Sequence, residues 1–256
     1  MKKNKQFLYD YLNAFAPVAQ ETEGQKIWTK YVKPYVDNIY TDAYGTAVAT
    51  LLSKKNKLAD HDVVIEAHCD EIAWIITNIE ADGMIRVKRH GGSDNMIAPS
   101  KTVMIHTHNG KKVKGVFGGP EIHTRKTYVK KGYDQHELWV DTGLKDKKAV
   151  NKAGVEVGNL ITFDDQFHEM GDYYVGRSLD NKIGGYIIAE ALRHIVEKDI
   201  QLPYNLHVVN SVQEEVGLHG AKKIAKYLEA DLALVHDVCH NTNTPKIDKA
   251  KDGDNK

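Results

Sequence analysis

The sequence predicts an α/β fold interrupted by a small β-rich domain. Three observations predict it. Apolar strand runs and amphipathic helices alternate at both ends of the chain, as in sheets that pair parallel strands across helices. Between Trp74 and about Phe163 the rhythm changes to short alternating strands joined by tight turns. Finally, the apolar runs VVIEA, HVVNSV and DLALV each end in acidic or histidine residues.

Residues 5–14 and 24–37 carry helical patterns. In EGQKIWTKYVKPYV, Ile27, Tyr31 and Tyr35 recur at helical spacing, and Pro34 predicts a kink or an early stop. TAVATLL and DVVIEAHCD read as strands, the second apolar enough to lie centrally in a parallel sheet. ADG (81–83) then separates WIITNIE from MIRVKR, and HNG (108–110) separates TVMIHT from KKVKGVF, two hairpin signals. KDKKAVNKA (145–153) is the next helix. NKIGGYIIAEALRHIVEK (181–198) follows as a long amphipathic helix, with Ile183, Ile187, Ala191 and Ile195 on one stripe and Gly184 and Gly185 permitting close packing on the sheet. NLHVVNSVQ, GLHGAKKIAKYLEA and DLALVHDV complete a strand–helix–strand unit with a parallel crossover. The resulting division is an α/β part over residues 1–71, an inserted β domain over 72–163, and the second α/β part over 164–256.

Composition narrows the function. Lys+Arg and Asp+Glu both number 35 and no long basic run occurs, so nucleic acid is not an expected partner. The basic N-terminus is broken by Asp10 and Asn13 and lacks a small-residue cleavage site, and no apolar run reaches membrane length. Two cysteines, Cys69 and Cys239, make no disulfide framework and read as buried, inert thiols. A cytoplasmic protein without membrane contact is the expectation.

His68 and Asp70 end one strand, Glu214 and Glu215 another, and Asp237 a third, with His236 beside it. Ligands bind outside the carboxyl ends of strands in open α/β sheets. Asp180, in GRSLDNKIGG, stands just before the long helix. One histidine among carboxylates suits zinc, cobalt or manganese. Each residue also has a plainer reading: His68 as a satisfied strand-end histidine, Asp180 as a helix N-cap, Glu214 and Glu215 as solvated loop charge, and Asp237 as a turn residue. Their coincidence favours a metal site, because converging carboxylates repel without a cation. Adjacent Glu214 and Glu215 can serve one centre only if the strand stops and the chain bends there. His106 and His108 share a strand face and could bind a metal, but a partly exposed strand is the expected explanation.

HCDEI, GRSLDNKIGG, SVQEEVGLHGA and HDVCHNTNTP, in that order, resemble metallopeptidase family 42, the tetrahedral, glutamyl-aminopeptidase-like enzymes. The likeness extends to YLNAFAPVAQETEGQKIW near the start and to GVFGGPEIH and LWVDTG in the insertion. The resemblance implies a zinc-peptidase-like mixed sheet flanked by helices, with a β-barrel-like dimerisation domain inserted. It also implies two divalent metal ions per subunit, zinc or cobalt with manganese as a third choice. Short peptides are the implied substrates, and homo-oligomers built from dimers, dodecameric in full-length relatives, the implied assembly. By the same resemblance Asp180 bridges the metals, His68 and Asp237 complete one ligand set, Glu215 belongs to the other, Glu214 is the general base, and Asp70 orients His68. His123 lies where family members bring the insertion near the site. Family members continue beyond Lys256 and add a late ligand histidine, a position that none of His219, His236 or His240 occupies. The resemblance therefore implies a chain without the family's C-terminal part. Three functions stand at this point: a dinuclear metal-dependent aminopeptidase, a non-catalytic truncated paralogue or fragment, and a glycosidase needing only two carboxylates.

Overall fold

The structure, a computed structural model, describes residues 3–54, 60–121, 123 and 133–254. Helices α1 (Lys3–Asn13) and α2 (Thr22–Val32) each bury an apolar stripe, Phe7, Leu8, Tyr11 and Leu12 on one and Trp28, Tyr31 and Val32 on the other. The second helix stops at Val32 and continues only as a 3-10 turn, Lys33–Tyr35. Pro34 explains this early end, since it has no N–H to give and crowds the preceding turn. Strands β1 (Asn38–Thr41), β2 (Ala47–Leu51) and β3 (Asp62–His68) then open the main sheet.

The chain next enters the insertion: β4 (Ala73–Ile79), β5 (Ile85–His90), β6 (Thr102–His106), β7 (Lys112–Gly118), β8 (Trp139–Asp141), α3 (Lys147–Lys152) and β9 (Leu160–Phe163). These strands close into a barrel in the order β4-β5-β8-β7-β6-β9. Alternating residues fill it: Trp74, Ile76, Ile85, Ile105, Phe117, Val140 and Ile161 form one core, joined by Val150 of α3. Closure removes the free edges that so short a set of strands would otherwise expose. The turn at Gly83 has φ +90°, and a Cβ there would lie 2.6 Å from Leu144 O, so glycine is required.

After the barrel come a small hairpin, β10 (His168–Met170) and β11 (Tyr173–Val175), then α4 (Leu179–Glu197), β12 (Asn205–Ser211), α5 (His219–Leu228) and β13 (Leu232–Val235). The sheet order is β1-β2-β12-β3-β13, with β3 parallel to both β12 and β13 and the β1–β2 and β2–β12 pairs antiparallel. It is a mixed sheet with helices on both faces. Strand alternation sends Ala47, Ala49, Leu206 and Val208 toward α1, α2 and α4, and Val48 and Val209 toward Ile224 of α5. The β1 strand and the β10–β11 hairpin have no strong apolar alternation and are not apparent from the sequence.

The buried face of α4 differs in part from the predicted stripe: Ile183 and Ile195 pack against the core, but the two residues between them do not. Ile187 is 42% exposed and Ala191 is exposed, while Gly184, Gly185, Ile188, Ala189 and Leu192 face the sheet. The glycine pair decides this. A Cβ on Gly185 would lie 2.6 Å from Tyr11 Oη, and its carbonyl accepts from Trp28 Nε1 at 2.9 Å. Only the small face allows α4 to approach so closely. No helix among the described residues is long and apolar enough to cross a membrane.

Candidate metal centre

Parallel register brings the strand ends together. Ser211 of β12 lies opposite His68 of β3, and Cys69 N donates to Ser211 O at 2.8 Å just beyond. Val235 of β13 lies opposite Glu66, and His236 N donates to Glu66 O at 2.8 Å. His68, the 213–215 segment and Asp237 therefore leave the sheet at one edge. Strand β12 stops at Ser211, and Gln213 turns the chain with φ +56°. That bend lets both neighbouring glutamates reach one centre.

Two triads share His68. Ligand atoms of His68, Glu214 and Glu215 lie within 4.8 Å of one another, as do those of His68, Asp180 and Asp237. The buried His68 ring sits between them, with Nε2 3.3 Å from Asp180 Oδ1 and 3.7 Å from Glu214 Oε2. Its Nδ1 faces Asp70, 3.1 Å from the backbone oxygen and 3.5 Å from Oδ1. Asp70 is wholly buried, and its carboxylate accepts Glu214 N and Glu215 N, each at 3.0 Å. The acid that the resemblance makes an orienter of His68 thus grips the two glutamates by their backbone as well.

Asp180 does not cap α4. Ser178 is the N-cap, and Asp180 and Asn181 have non-helical angles, Asp180 with ψ 111°, joined by a cis peptide bond. The Asp180 side chain is 59% exposed and directed at His68. Asn181 Nδ2 donates to His236 O at 2.7 Å, tying this turn to the end of β13.

The electrostatics test whether cations belong here. Burial lowers the affinity of His68 for a proton, but hydrogen bonding to Asp180 and Asp70 and the charges of Asp70 and Glu214 outweigh it, pushing the ring up to about 11. Burial, reinforced by Asp180, pushes Glu215 up to about 7, and burial likewise raises Glu214. Carboxylates that clash with one another and hold a buried imidazole protonated form a donor set short of positive charge. Divalent cations fit it.

Three further acids escaped sequence reasoning. Glu66 is buried on β3, raised by burial, and accepts a short hydrogen bond from Ser211 Oγ. Its signal was present, a lone acid inside the apolar run VVIEA. Glu21 accepts from Ala19 N at 2.7 Å and Gln213 N at 3.2 Å, bracing the turn that carries the glutamates. Glu71 is buried between two cations. Nothing local marked Glu21, and Glu71 stood only as one letter of the HCDEI motif.

Other candidates resolve differently. His106 stacks on Phe15, 3.7 Å between ring centroids, and bonds Thr162 Oγ1 at 3.1 Å, while burial pulls it down to about 4. Neither it nor His108 nor His123 joins a metal triad among the described residues. Cys69 is buried, and burial pushes its thiol up to about 12, whereas Cys239 is exposed, against the expectation of two buried thiols. The barrel reaches the site through Gly91, where a Cβ would lie 3.4 Å from Glu215 Cβ.

The chain matches the M42 glutamyl aminopeptidase family profile over residues 45–255. It is 33% identical to FrvX of Escherichia coli (strain K12) over 252 residues, covering 97% of this chain and 68% of that protein. Among solved structures it is similar to aminopeptidase APDkam598 from the archaeon Desulfurococcus kamchatkensis, with TM-score 0.88, 28% identity, and coverage of 97% of this chain and 66% of that one. The TET1 peptidase of Pyrococcus horikoshii, at 24% identity and TM-score 0.80, shares the fold over 96% of this chain and 72% of its own. The chain spans about two thirds of the length of FrvX and APDkam598. A profile match across most of the sequence, on a fold shared with solved aminopeptidases, makes this chain a member of the M42 glutamyl aminopeptidase family.

Proposed function

We propose that this protein is a dinuclear metal-dependent aminopeptidase removing N-terminal residues from short peptides. One observation carries the reading: two ligand triads meet at a shared, buried His68. In this assignment His68 and Asp237 would hold one ion and Glu215 the other, and Asp180, 3.3 Å from His68 Nε2, would be shared by both. Zinc and cobalt suit the donor set best, with manganese compatible. When bound, such ions acidify water from about 15.7 toward about 7 and polarise the scissile carbonyl.

The chain's own residues do the rest. Glu214 belongs to the second cluster by position, with its side chain 27% exposed, but in this assignment it serves as the base that accepts the proton of the attacking water and not as a ligand. Burial raises its carboxyl, which brings it nearer the pKa that suits a general base and lets it return the proton to the departing amine. Asp70 fixes the Glu214 and Glu215 backbones, so base and ligand keep their division of labour.

The barrel, taken with its flanks as residues 72–163, is proposed as the dimerisation unit of a homo-oligomer. The TET1 peptidase of similar fold can assemble into a tetrahedron or a large octahedral shell, which supports homo-oligomerisation in general.

The test is to titrate chelator-stripped protein with zinc, cobalt and manganese by calorimetry, then assay aminoacyl anilides at each ratio. Two ions per chain and turnover that follows occupancy are expected. Absence of metal binding, or chelator-resistant activity on a β-glucan, would overturn the proposal.

A further inference from the structure

We propose that Glu71, Arg177 and Lys182 form a buried positioning group that sets where Asp180 stands relative to His68. The inference rests on the reading of those two residues as metal ligands. Glu71 directly follows Asp70, and its side chain is 1% exposed. Its Oε1 lies 3.0 Å from Lys182 Nζ and its Oε2 lies 2.8 Å from Arg177 Nε. Side-chain exposure is 0% for Lys182 and 9% for Arg177. The two cations bracket Asp180 in sequence, Arg177 before it and Lys182 after it.

Asp180 needs such an anchor. Its backbone is non-helical, so the hydrogen-bond ladder of α4 does not hold it in place. Neighbouring residues are held by tertiary contacts instead. Ser178 Oγ donates to Leu12 O at 2.6 Å, and Lys182 Nζ donates to Ala14 O at 2.6 Å. Glu71 is itself immobilised: its N–H donates to Ala16 O at 3.0 Å, its carbonyl accepts from Val18 N at 3.2 Å, and its Oε1 accepts from Ala16 N at 3.2 Å. The guanidinium of Arg177 also reaches Asp165 O at 3.2 Å, on the segment returning from the barrel. One carboxylate therefore ties the end of β3, the α1–α2 connection and the start of α4.

Stability alone is a weak reason for this arrangement. Buried ion pairs seldom outperform well-packed apolar residues, because desolvation offsets their attraction. What they supply is fixed geometry, which a carboxylate shared by two ions would require. Residues behind a ligand set typically change metal affinity by roughly 10–100-fold when removed.

The experiment compares the wild type with Glu71→Gln and with the double variant Glu71→Gln/Lys182→Gln, which conserves the net charge of the group and leaves Arg177 as its one charge. Cobalt affinity is read by calorimetry, coordination geometry by visible absorption, and folding by circular dichroism. The variants are expected to fold, to bind cobalt roughly 10–100-fold more weakly, and to show altered band intensities. A folded variant with wild-type affinity and spectrum overturns the inference. If neither variant folds, the triad serves stability, and the inference is overturned as well. A wild type that takes up no cobalt overturns instead the metal reading on which it rests.

Discussion

Asp70 and Glu215 are joined through the backbone: Asp70 Oδ2 accepts Glu215 N at 3.0 Å while its Oδ1 accepts Glu214 N at the same distance. A buried carboxylate from β3 thus shapes the turn after β12. An asparagine side chain in its place would leave one oxygen and one amide NH₂ facing two N–H donors. Asp70→Asn should cost about 1–3 kcal/mol through an unsatisfied buried group and weaken metal binding by roughly 10–100-fold. Urea denaturation and zinc titration check both. Unchanged values in each would show that the carboxylate is not needed as a double acceptor.

In the proposed mechanism the neighbours Glu214 and Glu215 have different tasks. Glu214→Gln should keep metal content and lower turnover by roughly 10²–10⁴-fold, because the amide keeps the shape but cannot accept a proton. Glu215→Gln should instead lose metal. Elemental analysis beside steady-state kinetics separates the outcomes, and interchangeable effects would contradict the assignment.

Burial raises the Glu21 carboxyl from the ordinary 4.5 to about 7. The folded state then holds this proton more tightly than the unfolded chain does. Its stabilising effect is full below 4.5 and is lost as pH rises through about 7. Glu21→Gln keeps an oxygen to accept Ala19 N and Gln213 N but does not titrate. Between these pH values the wild type should lose stability relative to the variant. Denaturation midpoints measured at both ends check it, and a relative gain by the wild type would reverse the sign.

Gly185→Ala sets two effects against each other. In an exposed helix the change gains about 1 kcal/mol. Here the new Cβ would lie 2.6 Å from Tyr11 Oη and 2.9 Å from Asn210 Oδ1, groups bonded to each other at 3.0 Å. Overpacking typically costs about 1–3 kcal/mol, so the variant should be less stable overall. A higher urea midpoint would refute that.

Much of the site was legible because its signals are local. VVIEA, HVVNSV and DLALV read as strands from composition, and strand ends in parallel register must share an edge. The doubled glutamate could be interpreted because a strand cannot aim neighbours the same way. The stripe on α4 misled for a physical reason. Larger apolar residues usually mark the buried face, but here Tyr11 of α1 and Asn210 of β12 come so close that a Cβ at Gly185 would crowd both.

The sequence by itself determined the α/β character, the inserted β region, and the identity of the residues that gather at the strand ends. Periodicity, turn residues and donor chemistry are properties of short segments, and short segments carry them unaided. Only the tertiary structure decided that Asp180 leaves helical geometry to face His68, that Asp70 grips two backbone amides, and that Glu71 meets Lys182 across 111 residues of chain. These contacts depend on burial, which strips water from charged groups and makes each one demand a partner wherever the fold brings one near.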